Sequence, residues 1–252
     1  EAVKLKTSPC WRFAVPPKTE ISFECNCDDI SLEFLEFLNE VGITRLSVGV
    51  QSFNEKTLSC IKRRANRQES LNAIKIISEF SEKYPQKKLT FSLDFISGLP
   101  FSSNENLIED LKIAVENKIP HISLYSLTLE EKTPLYKQIS SGKINFDENL
   151  ANEQWILGRD FLLQNGYEEY EISNFAKPGF ESRHNSGYWQ DKEYIGLGAG
   201  AHSYKDKTRY ENASDVCLYI LGQGRKINAE KISDKERQLE LFMLGLRMTE
   251  GV

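Results

Sequence analysis

The amino-acid sequence predicts an α/β protein whose parallel sheet forms part of a (βα) barrel. Between about residues 20 and 130, short apolar runs alternate with longer segments whose apolar residues recur at helical spacing. Strands that alternate with helices pair in parallel through right-handed crossovers. A chain of 252 residues that is 40% hydrophobic can also bury one barrel or two modest domains.

Local signals place the elements along the chain. The run RLSVGV at 45–50 alternates apolar with small residues, which is typical of a buried parallel strand. An apolar stripe predicts a helix over 31–41, with an N-cap region at Asp28–Asp29 and a stop at Gly42. Further strands are predicted at 21–25, 89–96 and 121–127, and further helices from about 54 and at 68–84, 104–117, 148–165 and 235–248. Turns are predicted at 133–134 and near 142, and a linker or loop at 1–19.

Polar residues stand late in all four predicted strands. They are Glu24, Gln51, Asp94 and Tyr125. Because the carboxyl ends of barrel strands meet at one mouth, these groups are expected to converge on a polar ligand, although acids in strands can also be surface positions. Asp94 lies between Leu93 and Phe95, where an unpaired carboxylate costs roughly several kcal/mol. It therefore needs a partner or a ligand.

Charge and composition exclude several classes of protein. The net charge of -5 is spread over mixed signs without a block of Lys and Arg, which argues against a nucleic-acid-binding surface. No run approaches the roughly 18 apolar residues of a membrane span, and the first residues lack the layout of a signal peptide. A cytoplasmic chain is expected.

The cysteines indicate reduced thiols rather than a disulfide framework or a metal site. There are five, at Cys10, Cys25, Cys27, Cys60 and Cys217. Cys25 and Cys27 form a CxC pair, but no third or fourth ligand lies nearby in sequence, so no metal site is predicted. Further along, Gly196, Gly198 and Gly200 lack the spacing of a dinucleotide loop and predict a close-packed turn instead.

Several segments together resemble one known family. They are VGVQSF at 48–53, LDFISGLP at 93–100, ISLYSLTLEEKTPLY at 122–136, YEISNFAKPGFESRHNSGYW at 170–189 and YIGLGAGAHS at 194–203. They are similar to the oxygen-independent coproporphyrinogen III oxidase-like branch of the radical SAM enzymes, and within it most similar to the HemW haem chaperones. The resemblance implies a partial, six-stranded βα barrel at 1–205 that holds S-adenosylmethionine (SAM) across its mouth. It also implies that 206–252 begin a helical C-terminal domain.

The resemblance assigns residues to the SAM site. Glu24, Gln51 and Asp94 match positions that line it, where carboxylates bind ribose hydroxyls or the amino group of SAM. Arg63 matches the arginine that pairs with the SAM carboxylate. Arg64 competes for that role, because the family's usual Gly before and His after the arginine are here Lys62 and Ala65.

A second set of residues matches a block that the family associates with haem. His184, Asn185, Tyr188 and Trp189 form this HNxxYW block. A neutral imidazole is a natural ligand of haem iron. The alternative is that His184 is a loop histidine that packs under Trp189.

The sequence also departs from the family pattern. The CxxxCxxC motif, whose thiolates hold a 4Fe-4S cluster, and the following GGGTP segment are absent from the 252 residues. We therefore expect the chain to begin after the second barrel strand, and not to perform radical chemistry by itself. No catalytic residue is predicted.

Three functions remain open. The first is a haem chaperone that delivers haem to an unidentified acceptor protein. The second is a coproporphyrinogen oxidase, which decarboxylates propionates to vinyl groups with a 5′-deoxyadenosyl radical, and the third is a cluster-free module that binds a tetrapyrrole. An open barrel exposes the strand at 21–25 as an edge, so dimerisation or marginal solubility is expected.

Overall fold

The computed structural model describes residues 16, 18–86 and 89–251. Most of the linker predicted at 1–19 lies outside them, and so does Cys10. Contacts divide the chain into two compact units, one up to Glu181 and one from Ser182 onward. This division differs from the predicted boundary at 205–206, which stays a prediction about the family's domains.

The first unit follows the predicted alternation of strands and helices. Its strands are β1 (Ser22–Asn26), β2 (Arg45–Gln51), β3 (Thr90–Ser97), β4 (His121–Ser126), β5 (Glu168–Glu171) and β6 (Asn174–Ala176). Its helices are α1 (Leu32–Val41), α2 (Glu55–Cys60), α3 (Arg67–Lys83), α4 (Asn104–Glu116), α5 (Pro134–Ser140) and α6 (Glu148–Gln164).

The strands of the first unit form one six-stranded sheet in the order β1-β2-β3-β4-β6-β5. The first four are parallel, as the sequence predicts, while β6 is antiparallel to both β4 and β5. Among the described residues β1 pairs only with β2 and is an edge strand. The fold class, a mixed α/β fold with a partial barrel, is therefore confirmed.

The two faces of the sheet differ in polarity. One face carries fully buried side chains such as Leu46, Val48 and Leu93, which pack against the helices and form the core. The alternate positions of the same strands carry Ser47 and Asp94, so the opposite face is polar. This polar face and its carboxyl edge position the candidate site.

Two local predictions are wrong. Helix α1 is capped by the Ser31 hydroxyl, which accepts a hydrogen bond from the backbone N–H of Phe34 at 3.1 Å, whereas Asp28 and Asp29 belong to a separate 3₁₀ turn. The predicted turn at 133–134 is the start of α5, because Thr133 caps that helix and Pro134 fits its first position, where no N–H is needed.

The second unit contains helices, of which the sequence predicts the last at 235–248, and an antiparallel sheet that it does not predict. Its helices are α7 (Arg183–Trp189), α8 (Val216–Ile220) and α9 (Asp234–Gly245), and its strands β7 (His202–Lys205), β8 (Thr208–Glu211) and β9 (Ile227–Lys231) pair in that order. Helix α9 contacts α7, and Arg237 pairs with the buried carboxylate of Asp191 at 3.0 Å. In the part of the chain that the structure describes, no helix has the length and apolar character needed to cross a bilayer.

Candidate functional site

Polar groups line the carboxyl edge of the parallel strands in one row. Asn26, Gly49, Asp94 and Ser123 are neighbours in register on β1, β2, β3 and β4. The prediction that Glu24 closes β1 is wrong, because the strand continues to Asn26. Glu24 pairs with Ser47, two residues before the pair of Asn26 and Gly49. Its carboxylate is still close enough to raise the pKa of Asp94.

Gln51 and Arg63 lie directly above Gly49. A Cβ atom on Gly49 would lie 2.9 Å from Gln51 Nε2 and 3.2 Å from Arg63 Nη2, both closer than ordinary contact. The absence of a side chain at Gly49 therefore leaves room for an amide and a guanidinium at the edge of the sheet. Asp94 is the register neighbour of Gly49 on β3, so an amide, a guanidinium and a carboxylate belong to this part of the carboxyl edge. We call this region the polar space around Gly49.

The backbone at Gln51 is strained. Gln51 has φ +68°, in the left-handed region that non-glycine residues rarely adopt, and the register between β2 and β3 shifts at this point. Such strain persists only where surrounding structure holds it, and it occurs often at functional sites.

The structure shows what holds the chain after Gln51. Asp110 of α4 accepts hydrogen bonds from the Ser52 hydroxyl at 2.6 Å and from the Phe53 N–H at 2.9 Å. Arg67 donates to the Phe53 carbonyl at 2.9 Å. Burial raises the pKa of Asp110 to about 6, against the opposing effect of these hydrogen bonds.

The two neighbouring arginines point to different places. Arg63 Nη2 donates to the Gly49 carbonyl at 2.5 Å and to Asn26 Oδ1 at 2.7 Å, at the carboxyl edge. Arg64 instead forms exposed ion pairs with Asp28 at 3.1 Å and Asp29 at 3.7 Å. The position of Arg63 therefore suits the role that the resemblance gives it, and that of Arg64 does not.

Asp94 is a buried carboxylate held by hydroxyl groups. The Ser47 hydroxyl lies 3.0 and 2.9 Å from its two oxygens. Burial raises the pKa of Asp94, while hydrogen bonds from Ser123 and Ser47 and the charge of Arg45 lower it. Among the described residues it has no ion pair, so it can accept a cationic or hydroxyl-bearing ligand.

The polar face continues inward through residues that sequence reasoning missed. The Ser92 hydroxyl lies 2.7 Å from His121 Nδ1, and His121 Nε2 lies 2.8 Å from the Tyr170 hydroxyl. Burial and the nearby charge of Arg45 hold the pKa of His121 well below its usual range, so the imidazole is neutral at pH 7. Arg45, only 6% exposed, donates to the Phe180 carbonyl at 3.0 Å. The alternation of polar residues in β2 is the signal that could have revealed this face.

The HNxxYW block lies in the second unit, on helix α7. His184 and Tyr188 lie one turn apart with their ring centroids 5.0 Å apart, edge to face, and Tyr188 stacks in turn on Tyr194 at 4.8 Å. The alternative placed His184 in a loop, and that part is wrong, because His184 lies in helix α7 with its ring against that of Tyr188. Trp189 contacts Arg247 at 4.5 Å. Asn185 donates its backbone N–H to the capping Ser182 hydroxyl.

The glycine-rich segment that follows is a close-packed turn, as predicted. A Cβ on Gly196 would lie 2.1 Å from the His202 carbonyl oxygen, so backbone approaches backbone there. The Gly198 N–H donates to the Tyr219 hydroxyl at 3.0 Å, and Asn212 donates to the Gly198 carbonyl at 2.9 Å.

The described residues do not fit an iron–sulfur cluster. They contain no group of three or more His, Cys, Asp or Glu side chains placed to hold a metal ion. Cys27 is buried in the core and its Sγ lies 3.8 Å from the Gly49 carbonyl. Burial raises the pKa of Cys25 to about 12, so its thiol stays protonated and is a poor ligand.

Comparison with known proteins agrees with the motifs. The family profile described as the Radical SAM superfamily matches residues 1–114. The chain is 34% identical to the "Heme chaperone HemW" of Lactococcus lactis over 92% of its own length and 61% of that protein. The first 114 residues therefore resemble the radical SAM superfamily. The chain is also 34% identical to the HemW of Bacillus subtilis over 93% of its length, and 31% identical to that of Escherichia coli over 95%.

A solved structure supports the fold assignment. The radical SAM enzyme coproporphyrinogen III oxidase HemN from Escherichia coli superimposes with a TM-score of 0.80 at 18% identity, over 98% of this chain and 59% of HemN. The chain thus spans about three fifths of the length of the relatives it matches. Proteins of the radical SAM superfamily in general bind SAM and a 4Fe-4S cluster, and the amide, guanidinium and carboxylate around Gly49 have the chemistry to bind the polar groups of SAM.

Proposed function

We propose that the chain is part of a HemW-like radical SAM protein that binds SAM in its first unit and handles haem. The similarity to proteins named heme chaperone HemW, which extends over more than nine tenths of the chain, carries this proposal. The polar space around Gly49 supports the SAM part, and the HNxxYW block supports the haem part.

The SAM site would use the charges around Gly49. Arg63 would pair with the carboxylate of SAM, and Gln51 would donate or accept through its amide. Asp94 and Glu24 would accept hydrogen bonds from ribose hydroxyls or from the amino group. When bound beside a reducing cluster, SAM supplies an adenosyl radical. The 252 residues contain no CxxxCxxC motif for that cluster, so no radical step is assigned to them.

The SAM assignment is tested by titration calorimetry with two adjacent variants. Arg63→Ala removes the cation at the edge of the sheet and should weaken SAM binding on the order of tenfold or more, as expected for a lost charge-assisted pair. Arg64→Ala is the matched control, because Arg64 pairs with Asp28 and Asp29 outside that space. Equal effects of the two variants would contradict the assignment of Arg63.

The haem assignment is tested by absorbance in the Soret band. Haem titrated into the protein should give a saturable shift that His184→Ala weakens, because the proposal places His184 at or near the iron. His202→Ala is the control, since His202 is also exposed. Nonspecific binding of haem by surface histidines would be weakened in this variant as well. An unchanged titration in His184→Ala would remove His184 from the haem site.

The coproporphyrinogen oxidase is the second candidate, and its support is the shared fold with HemN. Formation of protoporphyrinogen by protein that carries the cluster, without a Soret shift on adding haem, would favour it.

A cluster-free tetrapyrrole-binding module is the third candidate. It is distinguished by reading the gene upstream of the Glu1 codon for CxxxCxxC and GGGTP. The acceptor protein, a homodimer and a cytoplasmic location stay predictions.

A further inference from the structure

A cavity of about 510 Å³ lies beside α2, outside the polar space around Gly49. A smaller cavity of about 190 Å³ shares two of its lining residues, Phe101 and Ile144. We call the two cavities together the Phe101 groove. Its walls come from the segments that follow β2, β3 and β4, which is the side of a barrel where ligands bind.

The two ammonium groups of the Phe101 groove have no ion-pair partner among the described residues. They belong to Lys56 and Lys62, which line the groove. Two acidic residues, Glu55 and Asp147, also line the groove. The Glu55 carboxylate accepts the backbone N–H of Arg67 at 2.9 Å, and the Asp147 carboxylate accepts backbone N–H groups in the first turn of α6. The groove therefore presents two ammonium groups beside an apolar wall, and Phe101 in this wall is 60% exposed.

Two lining residues have a backbone conformation that suits glycine. Lys62 has φ +56° and Phe101 has φ +63°. Glycine would adopt both without strain, yet these positions carry a cation and an exposed aromatic ring. Strain of this kind is frequent at ligand sites but is not confined to them, since Lys118 has φ +55° outside the groove.

We propose that the Phe101 groove binds the carboxylate edge of a flat apolar ligand, with the carboxylates on Lys56 and Lys62 and the apolar body against Phe101 and Ile144. The inference rests on the proposed haem-handling function, because haem combines propionates with a flat macrocycle. The lysines give charge-assisted hydrogen bonds to carboxylates, and the ring gives an apolar surface. The groove then discriminates by the carboxylates and leaves the iron to other groups.

The test compares haem with haem dimethyl ester, whose propionates carry no charge. Lys62→Gly removes one cation and relieves the backbone, and should lower haem affinity about three- to fivefold while leaving ester affinity unchanged. Lys56→Gln combined with Lys62→Gly should lower it about tenfold. Lys118→Gly is the matched control, since Lys118 has φ +55° and lies outside the groove.

Three outcomes overturn the proposal. An unchanged ratio of haem to ester affinity in the double variant removes the groove as the carboxylate site while the haem function stands. An equal loss in Lys118→Gly shows that net charge or backbone relief causes the effect. If the unmodified protein binds neither ligand, the proposed function fails together with the groove.

Discussion

The substitution Asp110→Asn should change how stability depends on pH. Asp110 is 3% exposed, and burial raises its pKa from 3.8 to about 6. A carboxyl group with a raised pKa in the folded chain binds its proton more tightly there, so its contribution is fully present below about pH 4 and is lost as the pH rises to about 6. The shift of about two pKa units, at about 1.4 kcal/mol per unit, makes this contribution to the free energy of unfolding about 3 kcal/mol.

Asparagine keeps the shape of the side chain but cannot ionise. Its carbonyl oxygen can accept the Phe53 N–H and its amide can donate to the Ser52 hydroxyl, so the side chain keeps a hydrogen bond to each of these two residues. The free energy of unfolding is measured with urea at pH 4, 5, 6 and 7.5. Between the lowest and the highest pH, that of Asp110→Asn should rise by about 3 kcal/mol relative to that of the unsubstituted chain. Glu109→Gln, an exposed neighbour, is the control. Parallel pH profiles of the unsubstituted chain and Asp110→Asn would refute the reasoning.

Two further predictions concern packing. Gly49→Ala places a Cβ 2.9 Å from Gln51 Nε2 and should weaken SAM binding on the order of tenfold by calorimetry, with unaltered binding as the contrary result. Arg237→Ala leaves the carboxylate of Asp191, 4% exposed, without its ion pair and should destabilise the second unit by about 1–3 kcal/mol in thermal unfolding. Lys235→Ala, at an exposed position of the same helix, should not.

The parallel half of the fold was predictable because its strands are apolar and its helices amphipathic. The run at 45–50 and the stripe at 31–41 each bury a face, and burial fixes both the type and the order of the elements. The short antiparallel strands β5 to β9 were not predictable in this way. A strand such as Glu168–Glu171 carries charged residues, and only its tertiary partners make it a strand.

The site was predictable in part. Gln51 and Asp94 stand where polar residues interrupt apolar runs, and they flank Gly49 in the structure. Glu24 was predicted to close β1, but the strand ends two residues later at Asn26, because strand ends are uncertain by one or two residues in sequence. The inner polar face was missed: the polar alternation in β2 indicates that such a face exists, but only the register of the sheet brings Ser92 beside His121.

The central claim, that the chain handles haem rather than coproporphyrinogen, is tested most directly by comparing two ligands on the unsubstituted protein. Haem and coproporphyrin III are titrated separately and followed by absorbance and fluorescence. We expect a saturable Soret shift with haem and an affinity for haem about tenfold or more above that for coproporphyrin. Equal or tighter binding of coproporphyrin, with no saturable haem shift, would contradict it.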